Sequence, residues 1–186
     1  MGIPTLIKTQ TASGSDYLDF IDGTSSVVFD STYDEYMFVF TDINPATDAA
    51  EFTFQVNATD DAGGDFDTSA ITSVFFRTHH KEDDSESGLN YTTGADQAQG
   101  TAFQYLAENT GNGSDESLAG VLQIFSPSST TYVKNFYATT QSYEEGSRTY
   151  QAFTGGYIND TTAIDEIRFK MSSGAFDGVI QMYGIA

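Results

Sequence analysis

The 186-residue chain contains no cysteine and no tryptophan, three prolines, and only 7 Lys plus Arg against 27 Asp plus Glu. Each shortage excludes something. Without cysteine there are no disulfides and no thiolate metal sites, and the redox compartment is left open. With a formal net charge of −20 and a pI near 4.1, direct binding to a nucleic-acid backbone or an anionic membrane surface is disfavoured, because the long-range field repels both. No run approaches the roughly 18 apolar residues of a membrane helix, and Met1-Gly-Ile-Pro-Thr-Leu-Ile-Lys8 lacks the basic start and long apolar core of a signal peptide. The expectation is a soluble, cytosolically made product with no membrane insertion. Leu6 stands where an N-myristoylation signal needs Ser or Thr, so that reading of Met1-Gly2 fails.

What the chain does have is 15 Phe, 11 Tyr and 17 Gly, a mixture suited to strands joined by turns. Its length is that of one domain, here residues 1–186, able to bury roughly 70% of the surface its unfolded chain exposes. The acids are mostly scattered through loops, and solubility in a salty medium is the preferred reading of them. Cation binding and a basic partner are the alternatives.

Strand patterns recur along the whole chain. Thr5–Thr11, a short stretch at Tyr17–Ile21 and Val27–Phe29 are β-prone. Glu35–Ile43 is apolar on both faces, as a central strand is. Glu51–Asn57 alternates, with Phe52, Phe54 and Val56 inward, and is read as a hairpin with Ile71–Thr78 across the Asp60-Asp-Ala-Gly-Gly-Asp65 turn. His79–Gln104 is polar and glycine-punctuated, a long loop of the kind that carries function. Ala102–Ala107 fits a helical turn or a strand equally well. Leu118–Phe125, Thr131–Ala138 and Arg148–Ile158 are further strands. At the end, Ile167, Phe169 and Met171 alternate with Glu166, Arg168 and Lys170. The strand pattern resumes at Val179–Tyr183 after a Ser-Ser-Gly loop, so a closing hairpin is expected. About ten short strands and no clear long helix predict an all-β fold, an antiparallel β-sandwich of jelly-roll-like form.

Residues with chemical potential are few. His79 and His80 are adjacent, so on a strand they point to opposite faces and do not act as joint ligands. No serine lies in a Gly-x-Ser-x-Gly context, which leaves a hydrolase weakly supported. Asp60, Asp61, Asp65 and Asp67 carry enough carboxylate to hold a hard cation, but their spacing is not that of an EF-hand; solvated acids on a glycine turn are preferred. Glu82, Asp83, Asp84 and Glu86 offer the same choice, and whether either loop takes calcium stays open. Neither a catalytic residue, a cofactor nor a metal ligand is assigned. Tyr91, Tyr105, Tyr143 and Tyr150 are candidates for stacking on sugar rings or for protein contacts. Together with His79 and His80, Tyr91 and Tyr105 form the candidate ligand or partner loop. Arg168 and Lys170 hold two of the seven basic residues on one outward row. They either pair with acids such as Asp160 or Asp165 or mark a candidate oligomer contact for an acidic neighbouring copy.

Several segments together resemble a known family. These are Leu6-Ile-Lys-Thr-Gln-Thr-Ala-Ser13, Phe20-Ile-Asp-Gly23, Asp30-Ser-Thr-Tyr-Asp-Glu-Tyr-Met-Phe-Val-Phe40, Phe75-Phe-Arg-Thr-His-His80, Ile124-Phe-Ser-Pro-Ser-Ser-Thr-Thr131, Phe169-Lys-Met-Ser-Ser-Gly174 and Ile180-Gln-Met-Tyr-Gly-Ile185. Over nearly the whole chain they resemble small β-rich virion structural proteins of tailed phages, frequent in marine and cyanobacterial phages. The resemblance implies a non-enzymatic protein made in the host cytoplasm and carried on the virion, as a capsid decoration or a tail- or fibre-associated component. It implies other virion proteins as partners and a homo-oligomer. A lectin-like module that recognises a host-surface glycan is the alternative. Acidity fits an outward position better than one lining packaged DNA.

Overall fold

A computed structural model describes residues 2–59, 66 and 69–186. The described chain is strand and turn throughout, without a helix. Its strands are β1 (Thr5–Ser15), β2 (Leu18–Ile21), β3 (Glu35–Pro45), β4 (Ala50–Ala58), β5 (Ile71–Lys81), β6 (Ser87–Tyr91), β7 (Ala98–Gly100), β8 (Gln104–Thr110), β9 (Leu118–Phe125), β10 (Lys134–Glu144), β11 (Arg148–Ile158), β12 (Ile164–Met171) and β13 (Phe176–Ile185). Every pairing among them is antiparallel.

The pairing path β1-β13-β3-β9-β10-β8-β4-β12-β2 nearly closes into a barrel. Two seams interrupt it. Between β10 and β8 only Glu144 and Thr110 pair, reinforced by the Thr140 hydroxyl donating to the Leu106 carbonyl at 2.6 Å. Between β2 and β1 the ladder is replaced by the Gln10 side-chain amide donating to the Asp19 carbonyl at 2.6 Å. The path is thus a run β1-β13-β3-β9-β10 joined edge to edge with a run β2-β12-β4-β8. From β10 the sheet also continues away from the barrel through β11 to β5, which β6 and β7 flank. We call β10, β11, β5 and β6 the wing.

Aromatic rings from both runs fill the barrel. Phe169 of β12 lies 5.2 Å from Phe38, 5.3 Å from Phe40, 6.0 Å from Phe52, 6.1 Å from Phe20 and 6.5 Å from Phe54, most of these pairs edge-on or tilted as ring quadrupoles prefer. Each burial of this kind contributes about 2–3 kcal/mol before the entropy of ordering is subtracted. A smaller cluster of Phe75, Ala95, Ala152 and Tyr105 lines the inner side of the wing. There β11 runs so close to β5 that a Cβ on Gly156 would sit 2.3 Å from the Thr72 carbonyl oxygen, so no other residue fits.

The structure bears out an all-β chain and overturns several local expectations. Val27–Phe29 is not a strand, although Val27 and Phe29 are buried in the main core. The stretch 79–104 is not one loop. β5 continues to Lys81 and turns back as β6, β7 follows, and residues 104–110 resolve as strand β8. The expected hairpin between β4 and the next strand does not form, because β8 and β12 occupy both edges of β4 while β5 pairs with β11, β6 and β7. The closing hairpin does not form either. β12 lies between β4 and β2, and β13 lies between β3 and β1, so residues 172–175 cross from one run to the other. The Asp60–Asp67 turn, with Asp60, Asp61, Asp65 and Asp67, lies outside the described residues.

Candidate functional site

Strand alternation gives each face of the sheet a fixed set of side chains, and the register tells which ones stand in line. On the outer face one unbroken row crosses eight strands: Thr9, Gln181, Val39 and Val121, then Thr139, Phe153, Phe76 and Tyr91. The neighbouring row runs Leu6, Tyr183, Met37 and Gln123, then Tyr137, Gly155 and Val74. On the other side of the first row, Ala119, Gln141, Gln151, Thr78 and Leu89 are in register. None of these residues is charged, on a chain in which 18% of residues are. The apolar ones concentrate on the wing. Phe76 and Phe153 stack at 4.9 Å, and Val74, Phe76, Leu89, Tyr91 and Tyr137 all remain exposed, Leu89 at 67%. Single apolar residues are exposed on any protein without consequence, whereas a contiguous apolar patch is a feature that marks contact sites in general.

Two shallow depressions of about 280 and 290 Å³ lie at one end of this face and share Gln141 and Thr149. The first adds Thr78, His79, His80 and Gln151; the second adds Ser117, Ala119, Ser142 and Tyr143. Their polar groups are amides and hydroxyls, with the imidazoles of His79 and His80 in the first, and Gln141 donates to Thr149.

The sequence-predicted residues are spread over both sides of the sheet. His79 faces inward against the Tyr150 ring at 5.8 Å, while His80 faces out, its Nε2 3.2 Å from Asp84. That is the opposition adjacency requires. Tyr91 stands on the outer face, its hydroxyl donating to Asp96 at 2.5 Å, a bond that raises its pKa above the ordinary tyrosine value. Tyr105 packs on the inner cluster, where burial raises its pKa. The structure does not bring these two tyrosines together.

Tyr150, a candidate for sugar stacking or protein contacts, is buried. The Arg77 guanidinium lies 4.4 Å from its ring centre and that of Arg148 lies 5.9 Å away, so two cations of this cation-poor chain gather on one ring. Arg77 pairs with Glu108 at 2.5 Å, and Arg148 with Glu144 at 2.9 Å and Glu86 at 3.0 Å. Burial outweighs the cation at Glu108 and raises its carboxyl pKa. This charge network runs from the half-buried Arg77–Glu108 pair to Glu86, whose side chain is about half exposed on the β5–β6 turn.

The row Glu166, Arg168 and Lys170 points away from the core, yet it is roofed. Glu166 is buried, with the Asn57 amide 3.4 Å from its carboxylate. Arg168 forms two hydrogen bonds to Asp19, at 2.7 and 2.6 Å, and sits between the rings of Tyr17 at 3.9 Å and Phe66 at 4.4 Å. The acid that pairs with it is therefore Asp19, not Asp160 or Asp165. Lys170 lies 4.2 Å over the Phe103 ring. Beside them the fully buried Gln55 donates to the carbonyls of Thr101 and Ala102, tying the covering segment down. Among the described residues, no group of three or more His, Asp or Glu side chains is arranged to hold a metal ion.

The chain matches no protein-family model and no curated protein sequence.

Proposed function

We propose that this is a non-enzymatic structural protein of a tailed-phage particle, exposed on the virion as a capsid decoration or tail-associated component. The observation that carries the assembly role is the outer face: an aromatic sheet surface whose three central rows hold no charged residue, left uncovered on a chain of charge −20. Such a surface gains by being covered, and its lack of charge is what a desolvated interface core needs. The virion setting rests on the family resemblance.

The same reading takes the barrel as a jelly-roll sandwich. In its support, the consecutive pairs β1/β2, β3/β4, β8/β9 and β12/β13 each split between the orders β1-β13-β3-β9 and β2-β12-β4-β8. That is the alternation of a double Greek-key roll, an architecture shared by viral capsid and lectin domains. β5–β7 and β10–β11 are then insertions that extend one sheet. Fold alone does not assign function, so the test is direct. Mass spectrometry of purified particles from the encoding phage is expected to find the chain at stoichiometric copy number. Its absence from particles overturns the reading.

A second reading, a glycan-binding receptor module, is favoured by the depressions around Gln141 and Thr149, whose neutral amides and hydroxyls flanked by Tyr143 suit sugar hydroxyls. It predicts glycan-array binding that Gln141→Ala with Gln151→Ala removes. An array without hits excludes it.

A further inference from the structure

We propose that the wing is covered by the wing of a second copy, the two sheets packing face to face about a two-fold axis. The inference rests on the assembly reading and names the partner for its contact surface.

Three features single out a second copy. The first is chemical match. The wing presents Val74, Phe76, Leu89, Tyr91 and Tyr137, none of them charged, with the Asp96 carboxylate beside them accepting the Tyr91 hydroxyl, so a polyanion finds no cation among them to pair with. An identical face meets the first apolar side to apolar side, with Asp96 already hydrogen-bonded to Tyr91, and a two-fold contact needs only such a self-complementary patch. The second is area. With strands about 4.8 Å apart and about 3.3 Å per residue, β9 and the four wing strands over seven residues span about 24 by 23 Å. That removes about 550 Å² per copy, or about 1,100 Å² in all, which just clears the threshold of about 1,000 Å² for a specific interface. The third is shape. β10–β11–β5–β6 extends from the barrel as a pleated layer, the surface that packs at about 10 Å on another sheet in β-sandwiches.

Electrostatics give the contact a signature. Two molecules of charge −20 repel, and the acidic β5–β6 turn at Glu82, Asp83, Asp84 and Glu86 sits at the rim of each wing. Screening shortens from about 10 Å at 0.1 M salt to about 3 Å at 1 M, so pairing tightens as salt rises. Association through ion pairs would weaken instead.

Sedimentation velocity on the full chain, at concentrations up to on the order of 100 µM and at about 0.05 and 0.5 M NaCl, tests this. The expected result is a monomer–dimer equilibrium, tighter at high salt and weakened at least tenfold by Leu89→Asp or Val74→Asp. Both side chains are exposed, at 67% and 49%, so the new carboxylates are solvated in the monomer and the fold persists, which circular dichroism verifies. A chain that stays monomeric, or a dimer indifferent to both substitutions, overturns the proposal. A monomer that binds purified particles through Leu89 also overturns it while preserving the assembly reading. A salt-tightened, Leu89-dependent dimer of a chain missing from particles supports the pairing and overturns the virion reading.

Discussion

On the β12–β4 side of the barrel, Arg168, Lys170 and Gln55 point away from the core and lie beneath Tyr17, Phe66 and Phe103 or the 101–102 backbone. On the wing, Tyr137, Phe76 and Leu89 also point away from the core and remain exposed. A chain folding for itself alone would arrange this the other way round, roofing the apolar side chains and leaving the polar ones wet. The inversion teaches that the two outer faces have finished differently: one is completed within the chain, and the other is left open where the proposed second copy would sit. Substitutions on the first should therefore cost stability without touching assembly, and those on the second should cost assembly without touching stability.

The largest effect is expected at the roofed face. Arg168→Ala removes two charge-assisted hydrogen bonds to Asp19 and the packing between Tyr17 and Phe66, leaving Asp19 without its cation. Charge-assisted bonds contribute about 1.5–3 kcal/mol and a shielded cation–π contact about 1 more, so urea unfolding should show a loss of about 3 kcal/mol. A loss under about 0.5 kcal/mol, the ordinary surface value, would make this face no more finished than the wing. Next is Gln55→Leu, which fills the same space but strands the carbonyl of Thr101 and leaves that of Ala102 to the Gln97 amide alone. It should cost about 1–3 kcal/mol by the same measurement, and limited proteolysis near residue 101 should accelerate.

Part of this contrast is legible in the sequence, and part is not, for a physical reason. Alternation placed Phe52, Phe54 and Val56 inward, and Met37 and Val39 on a second apolar face, because side-chain direction is a local property of an extended chain. Which strand lies beside which is not local. Residues 172–175 read equally as a tight turn and as a crossing, and only the vacant edges of β3 and β4 decide that β12 and β13 part company. β6 escaped notice because all five of its residues are exposed, so it has no inward apolar residue to alternate, and β5 alone makes it a strand. The burial of Tyr150 depended on two arginines, one of them distant in sequence, reaching its ring. The roof over Arg168 depended likewise on Tyr17 and Phe66, brought from far along the chain.

On the wing the expected stability changes are small. Val74→Ser and Tyr137→Ser should leave the unfolding free energy of the isolated chain within about 0.5 kcal/mol of the parent, since both side chains are roughly half exposed. The same substitutions should weaken self-association. If they instead destabilise the monomer by as much as Arg168→Ala, the wing is part of the internal packing and the contrast between the two faces dissolves.

The smallest effect concerns the rim of the wing, where the β5–β6 turn sets how much negative charge faces a neighbour. The Ser85 hydroxyl and amide both donate to the Asp83 carboxylate, the amide at 3.0 Å, and these bonds, assisted by Lys81, hold its pKa below the ordinary aspartate value of 3.8. A depressed folded pKa means the carboxylate form is the one the turn favours. Its contribution is present above the unfolded pKa and is lost as pH falls through the folded one. Because Asp83 is fully exposed, the consequence is charge placement more than stability. Carboxyl NMR titration should put the Asp83 midpoint below 3.8, and Ser85→Ala should move it upward, leaving the turn less ordered while the charge at neutral pH stays the same. If dimer affinity at neutral pH then changes with Ser85→Ala, the shape of the rim matters to pairing. If it changes only when pH falls through the Asp83 midpoint, charge alone does, and acidification should tighten the contact as salt does.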